Sequence, residues 1–174
     1  MCLNNWGGID HKVLEFHEYG NLFSGKSGSG KSTVMDAIQV ILYGSFSPSF
    51  LNKAADDAKN RRSVLSYLRG EQKDGSANCK DCDFCSVIAL EIEDTGTHII
   101  TCIGIAFEVR KSDSEIKKFV YFSHSGKMPE SEYLTEQGVC YSNQEIKKLV
   151  SARTKSDDNR GKGEVNRIYG SKEA

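Results

Sequence analysis

SGKSGSGKSTVMDAIQVILYG, residues 24–44, decides how the rest of this chain is read. Counted from Gly25, it runs glycine, four residues, Gly30, Lys31, Ser32, the spacing G-x-x-x-x-G-K-[ST] of a phosphate-binding loop, or P-loop. A loop that wraps a triphosphate aims successive main-chain N–H groups inward and lets oxygens approach the backbone. It needs residues without a Cβ at its tight points, and Gly25, Gly28 and Gly30 supply them. Lys26, Ser27 and Ser29 fill the loop between. Lys31 then offers an ammonium to the β and γ oxygens, which makes it the candidate catalytic residue. The Ser32 hydroxyl offers a ligand to Mg²⁺, and Thr33 adds a donor in the first turn of a helix whose dipole favours an anion. A flexible Gly/Ser connector shares this composition. It needs neither the Lys-Ser-Thr terminus nor the apolar face behind it, where Val34, Ala37, Ile38, Ile41 and Leu42 recur at helical spacing before Gly44.

Working outward, VLEFHEYGNLFSG (residues 13–25) carries Val13, Leu14, Phe16, Leu22 and Phe23 around a Tyr19-Gly20-Asn21 turn. It reads as two short strands, the second feeding Gly25. Downstream, Val64, Leu65 and Leu68 before Gly70 predict a short helix from about Ser63 to Arg69, and residues 71–84 read as a surface loop. SVIALEIED and HIITCIGIAFEVR switch to β-branched alternation around Asp94-Thr95-Gly96, a hairpin signal, and KKFVYFSH (117–124) is a third strand. PESEYLTEQG is read as a short helix with Pro129 near its start. SNQEIKKLVSA is a better one, with Ser142 as N-cap and Glu145 three residues on. Residues 154–164 read as a loop and VNRIYG as a last strand. The expected fold is α/β: a P-loop core over residues 1–70 with a mixed sheet, an antiparallel β lobe over 71–127, and a helical segment with the last strand over 128–174, together one partial domain.

The chain has 174 residues, 23 basic and 24 acidic, for a formal net charge of −1. That length buries a real core, and nucleic-acid contact would have to come from a local patch. No apolar stretch approaches membrane-span length and the start carries no charged segment followed by an apolar run, so a cytoplasmic location with no membrane partner is expected.

A P-loop implies a nucleotide and leaves the reaction open. A hydrolysing site normally adds a second acid at the end of an apolar strand to help hold Mg²⁺. The nearest string, Val87-Ile88-Ala89-Leu90-Glu91, continues as an ordinary half-buried hairpin strand. Asn52-Lys53-Ala54-Ala55-Asp56 misses the guanine-reading N-K-x-D pattern by one residue, which lowers the GTPase reading. A self-contained small-molecule kinase would alternate strand and helix through most of its length, and here an antiparallel lobe interrupts.

NNWGGI near the start, the P-loop followed by TVMDAIQVIL, and FLNKAADDAKNRRSVLSYLRG together resemble the N-terminal half of an SMC-type ATPase head. They are most similar to the MukB-like branch that includes the Wadjet JetC subunit, over residues 4–70, and VNRIYGSKEA is similar to the strand and helix start that lead toward the coiled coil. The resemblance implies an ABC/SMC-type P-loop NTPase head, of which this chain is the N-terminal lobe. It also accounts for the missing acid: in that family the Walker B pair and the Ser-Gly-Gly signature lie in a C-terminal segment beyond a long coiled coil. ATP and Mg²⁺ are the implied cofactors. Implied partners are the C-terminal half of the head, a second head on ATP binding, kleisin-type accessory subunits, and DNA, in plasmid defence or chromosome organisation. Gly25, Lys26, Ser27, Gly28, Ser29, Gly30, Lys31, Ser32 and Thr33 carry over as phosphate and Mg²⁺ ligands. Arg69 resembles the family's arginine-loop residue near nucleotide and DNA, or is a helix C-terminal arginine answering the dipole. Asp36 reads as a solvated or capping acid, with a supporting role at the site as the alternative. Neither Gln39 nor Gln144 is assigned the glutamine-loop role.

Cys79-x-x-Cys82-x-x-Cys85 has half the spacing of a Zn²⁺ site and lacks a second pair, so a fourth ligand would have to be Cys102, His98 or His124. The alternative is a reduced cysteine-rich loop entering a strand. Lys53, Lys59, Arg61, Arg62, Arg69 and Lys73 form a basic stretch for DNA phosphates or, with Asp56, Asp57 and Glu71 interspersed, a mixed solvated face. A self-contained zinc-stabilised nucleotide-sensing module stays open as the second function class.

Overall fold

The structure is a computed structural model, and it describes residues 1–47, 51, 63–71, 81–157 and 165–170. Strands β1 (Cys2–Trp6) and β2 (Ile9–Val13) form a hairpin. Its turn is Gly7-Gly8 at φ 57° and 84°, positive at both positions as a two-residue turn between right-twisted strands requires. Helix α1 (Lys31–Tyr43) follows and ends at Gly44, whose N–H returns to the Val40 carbonyl in the left-handed conformation. Helix α2 (Val64–Arg69) starts on Ser63, whose side chain accepts from the Ser66 N–H, and stops at Gly70. Then come β3 (Phe84–Glu93), β4 (Ile100–Val109), β5 (Lys118–Ser125), α3 (Asn143–Asp157) and β6 (Arg167–Gly170).

The strands form one sheet in the order β2-β1-β3-β4-β5-β6, and every pairing is antiparallel. The mixed sheet expected for the P-loop core is therefore corrected: β1 enters the sheet beside β3, continuous with the strands of residues 84–125. Period-2 alternation splits the core in two. Leu3, Ile88, Ile105 and Phe107 face α1 and α2, and Trp6 joins them because Asn5, at φ 55°, breaks the alternation of β1 just before it. Cys2, Val87, Ala89, Ala106, Val120 and Phe122 face α3 and the segment carrying Tyr133 and Cys140. Both faces being covered, residues 86–89 of β3 are buried without a break.

Three local expectations change. Residues 14–24 form no strand. Beyond β1 the edge strand β2 has no ladder partner among the described residues, and an extended segment without one keeps no N–H to C=O pairing. Residues 129–138 form turns closed by a Leu134–Cys140 bridge instead of a helix. Glu132 and Tyr133 take φ 52° and 62°, a left-handed pair that a right-handed helix cannot contain, and Tyr133 is fully buried there. Helix α3 is longer than its sequence suggests, running to Asp157 into the stretch read as loop.

Candidate nucleotide-binding site

The P-loop spans the gap between residue 24 and α1. Gly25, Gly28 and Gly30 all sit at positive φ, 150°, 83° and 86°. A Cβ on Gly25 would also meet Ser29 Oγ at 2.7 Å. These are the positions where glycine was expected, and each has a backbone reason. Gly30 caps α1 in the left-handed conformation, no side chain caps the helix, and no acidic residue stands in its first turn. The Val34 N–H turns back to the Gly30 carbonyl at 3.1 Å, so the amides of residues 31–33 are left at the open positive end of the helix.

Lys31 folds back over this loop. Its Nζ donates to the carbonyls of Gly25 at 2.7 Å and Lys26 at 3.0 Å, and to Ser29 Oγ at 3.3 Å. The ammonium is thus held at the loop mouth by weak neutral acceptors, beside a helix terminus of the same sign. A polyanion would satisfy all three features at once: the glycine-lined amides, the helix end and the lysine. Ser32 is exposed, and no hydrogen bond engages its hydroxyl among the described residues. Ser32 and its neighbours fit the phosphate and Mg²⁺ group implied by the motif: an oxygen donor at the first turn, with cation and amides around it.

The elements that hold this turn in place flank it in the chain, β1 before it and α2 after it. Trp6, fully buried, donates its indole N–H to the Thr33 carbonyl at 2.9 Å. Its ring stacks on Tyr67 of α2, centroids 5.5 Å apart and planes 9° from parallel. The Gly7 N–H donates to the Tyr67 carbonyl at 2.9 Å, and the Tyr67 hydroxyl donates to Asp36. Asp36 is only 4% exposed, which corrects its reading as a solvated acid. The motif order NWGG, P-loop helix, SYLRG is therefore one packed unit. Sequence reasoning missed Trp6 and Tyr67 because nothing local in an aromatic residue tells which distant carbonyl it will meet.

Arg69 is committed to another task. Its Nη2 donates to the carbonyls of Arg110, Lys111 and Asp113, at 3.2, 3.0 and 2.7 Å, tying the end of α2 to the β4–β5 turn. The structure brings residues 25–33 together and places the Arg69 guanidinium on that turn. Glu91 accepts from the Met128 N–H at the surface of the hairpin and does not end a strand beside the loop.

The cysteine cluster is only partly described. Cys79 lies outside the described residues, as do Lys53, Lys59, Arg61, Arg62 and Lys73 of the basic stretch. Cys82 is exposed and Cys85 enters β3. Burial, with Glu108 and Glu145 nearby, pushes the Cys85 thiol up to about 11, against the thiolate a metal would need. The three proposed fourth ligands are not near it. Cys85 pairs with Glu108 while Cys102 pairs with His124 and Glu91, six residues along the ladder, or about 20 Å. His98 lies beyond the end of β3 and bonds Glu93 at 3.0 Å. Among the described residues no group of three or more His, Cys, Asp or Glu side chains is arranged to hold a metal ion.

Two surface cavities lie away from the P-loop. One of about 440 Å³ sits at the far end of α1, lined by Ile41, Gly44, Tyr121 and Tyr169. The other, about 980 Å³, runs between residues 131–141 and α3. Neither includes a residue of the 25–33 loop, whose recognition elements are main-chain amides on an open turn.

No helix among the described residues is long and apolar enough to cross a membrane. No curated protein matches the chain. Residues 1–58 match the family model described as the P-loop containing region of AAA domain. At its N-terminal third, from β1 through α1, the chain therefore carries a nucleotide-binding P-loop region similar to that of AAA-type domains.

Proposed function

We propose that this chain is the ATP-binding N-terminal lobe of an SMC/MukB-like, DNA-acting ATPase head. One observation carries the reading: a glycine-shaped loop at the N-terminus of α1, which no side chain caps, with Lys31 folded over it and Ser32 exposed at its first turn. ATP binds with its β and γ phosphates on the amides of this loop and Lys31, and Mg²⁺ is held in part by Ser32. The metal ion, when bound, neutralises charge on the β and γ oxygens. This chain's residues supply binding and orientation. Among the described residues no strand ends in an acid beside the loop, so hydrolysis needs groups from elsewhere, supplied by a C-terminal half and by a second head closing on the nucleotide.

Two further features support an incomplete head. The segment before the loop has no sheet partner among the described residues, and Tyr19 and Leu22 in it are 89% and 92% exposed. Met35 and Leu42, seven residues apart on one face of α1, are also exposed. Among the described residues the sheet is wholly antiparallel and strands do not alternate regularly with helices, which speaks against a self-contained kinase or GTPase. The test is Mg·ATP binding and turnover by the purified chain. Saturable binding lost in Lys31→Ala, with negligible multiple-turnover hydrolysis, is the expected pair of results. Sustained hydrolysis by the chain alone would refute the incomplete-head reading.

A further inference from the structure

The first turn of α1 carries the proposed phosphate and Mg²⁺ ligands, and the Trp6 contact falls on it. A helix carbonyl has two lone pairs, one used within the helix, so the Thr33 oxygen accepts the indole N–H without giving up its own turn. The approach is close. A Cβ on Gly7 would stand 2.2 Å from Thr33 Cγ2, so the hairpin turn rests directly on this residue. Behind the indole, stacked Tyr67 reaches Asp36 one turn further along α1. Trp6 and Tyr67 thus grip the helix at residues 33 and 36 and fix its rotation and height above the sheet. Residues 31 and 32 move as one body with residue 33.

We propose that Trp6 is a positioning residue for the P-loop: its indole N–H, held flat by Tyr67, sets the orientation in which the first turn of α1 presents Lys31, Ser32 and its amides to the triphosphate. This deepens the nucleotide-binding reading and rests on it. Trp6 touches no nucleotide in this role, since it is fully buried and its N–H is spent on Thr33.

The test uses the full chain and Mg·ATP. Trp6→Phe keeps a ring over Tyr67 and removes the N–H. Calorimetric titration is expected to show Mg·ATP binding weakened about ten-fold, the scale of one hydrogen bond removed from the first turn of α1. Trp6 is the single tryptophan of the chain, so the unaltered protein gives a second readout. Mg·ATP should change its emission with the calorimetric midpoint, and the change should vanish in Lys31→Ala. Wild-type affinity in a folded Trp6→Phe, or calorimetric saturation with indole emission unmoved, would overturn the positioning role and leave the phosphate-binding reading standing. No Mg·ATP binding by the wild type would overturn both. Should Trp6→Phe fail to fold, the emission of the unaltered protein decides.

Discussion

An alanine at position 7 would carry its methyl to within 2.2 Å of Thr33 Cγ2, at a backbone φ of +57° that L side chains rarely adopt. Overpacking and left-handed strain together put the expected cost of Gly7→Ala at about 2–4 kcal/mol, read as a fall in thermal midpoint. Gly104 makes a comparable case inside the sheet. It pairs with Phe122, whose ring lies over it, and a Cβ there would meet Phe122 Cζ at 2.6 Å and the Ile88 carbonyl at 2.7 Å. Gly104→Ala is expected to cost about 1–3 kcal/mol by chemical denaturation. His124 is a third decisive residue. It is fully buried, its Nδ1 3.0 Å from the Ser125 carbonyl and its Nε2 3.1 Å from the Tyr133 hydroxyl. Burial lowers its pKa below the ordinary histidine value. Above about pH 6.5 the ring is neutral whether the chain is folded or not, and contributes no slope. As pH falls below that, the unfolded chain takes a proton that the folded one refuses, and stability is lost until the folded value is passed. The denaturation midpoint should therefore fall as the pH is lowered below about 6.5, and fall less steeply in His124→Gln.

At the scale of elements, the capping box at the head of α3 shows what the sequence makes legible. The sequence pairs Ser142 as N-cap with Glu145 three residues on, and the Ser142 N–H and hydroxyl both donate to Glu145 Oε2, at 2.7 and 2.8 Å. Ser142→Ala is expected to cost about 1 kcal/mol, measured by denaturation. The β3–β4 hairpin, β5, α1, α2 and β6 were likewise legible, because each carries its period and its stop signal locally. Residues 129–138 were not. Pro129 and the acids favour a helix start, but burying Tyr133 against Phe122 and His124 selects a left-handed pair instead. That choice is made by tertiary packing, which no local pattern displays. The P-loop glycines could be placed from spacing alone, whereas the strand expected before them could not, since a strand exists only where a neighbour pairs with it. The fixed points of the loop, Trp6 and Tyr67, lie 27 residues before and 34 after Thr33, read from their positions in the chain.

Over the whole molecule, α1 and α2 cover one face of the sheet and α3 the other, and the nucleotide site stands at the rim, on the end of α1. The buried thiols follow from this layering. Burial pushes Cys2 and Cys102 up to about 12, so both stay protonated and inert at neutral pH. Of the described thiols, Cys82 is expected to react with a thiol reagent in the native protein, and Cys2, Cys102 and Cys140 only on unfolding. On the proposed reading, the open rim would let the site bind nucleotide without turning it over. Titration of the chain with Mg·ATP, beside the Lys31→Ala variant, probes this directly: one nucleotide per chain is expected, with affinity at least ten-fold weaker once the ammonium is gone. Equal affinity in the two proteins would contradict the assignment of residues 25–33 as the triphosphate cradle.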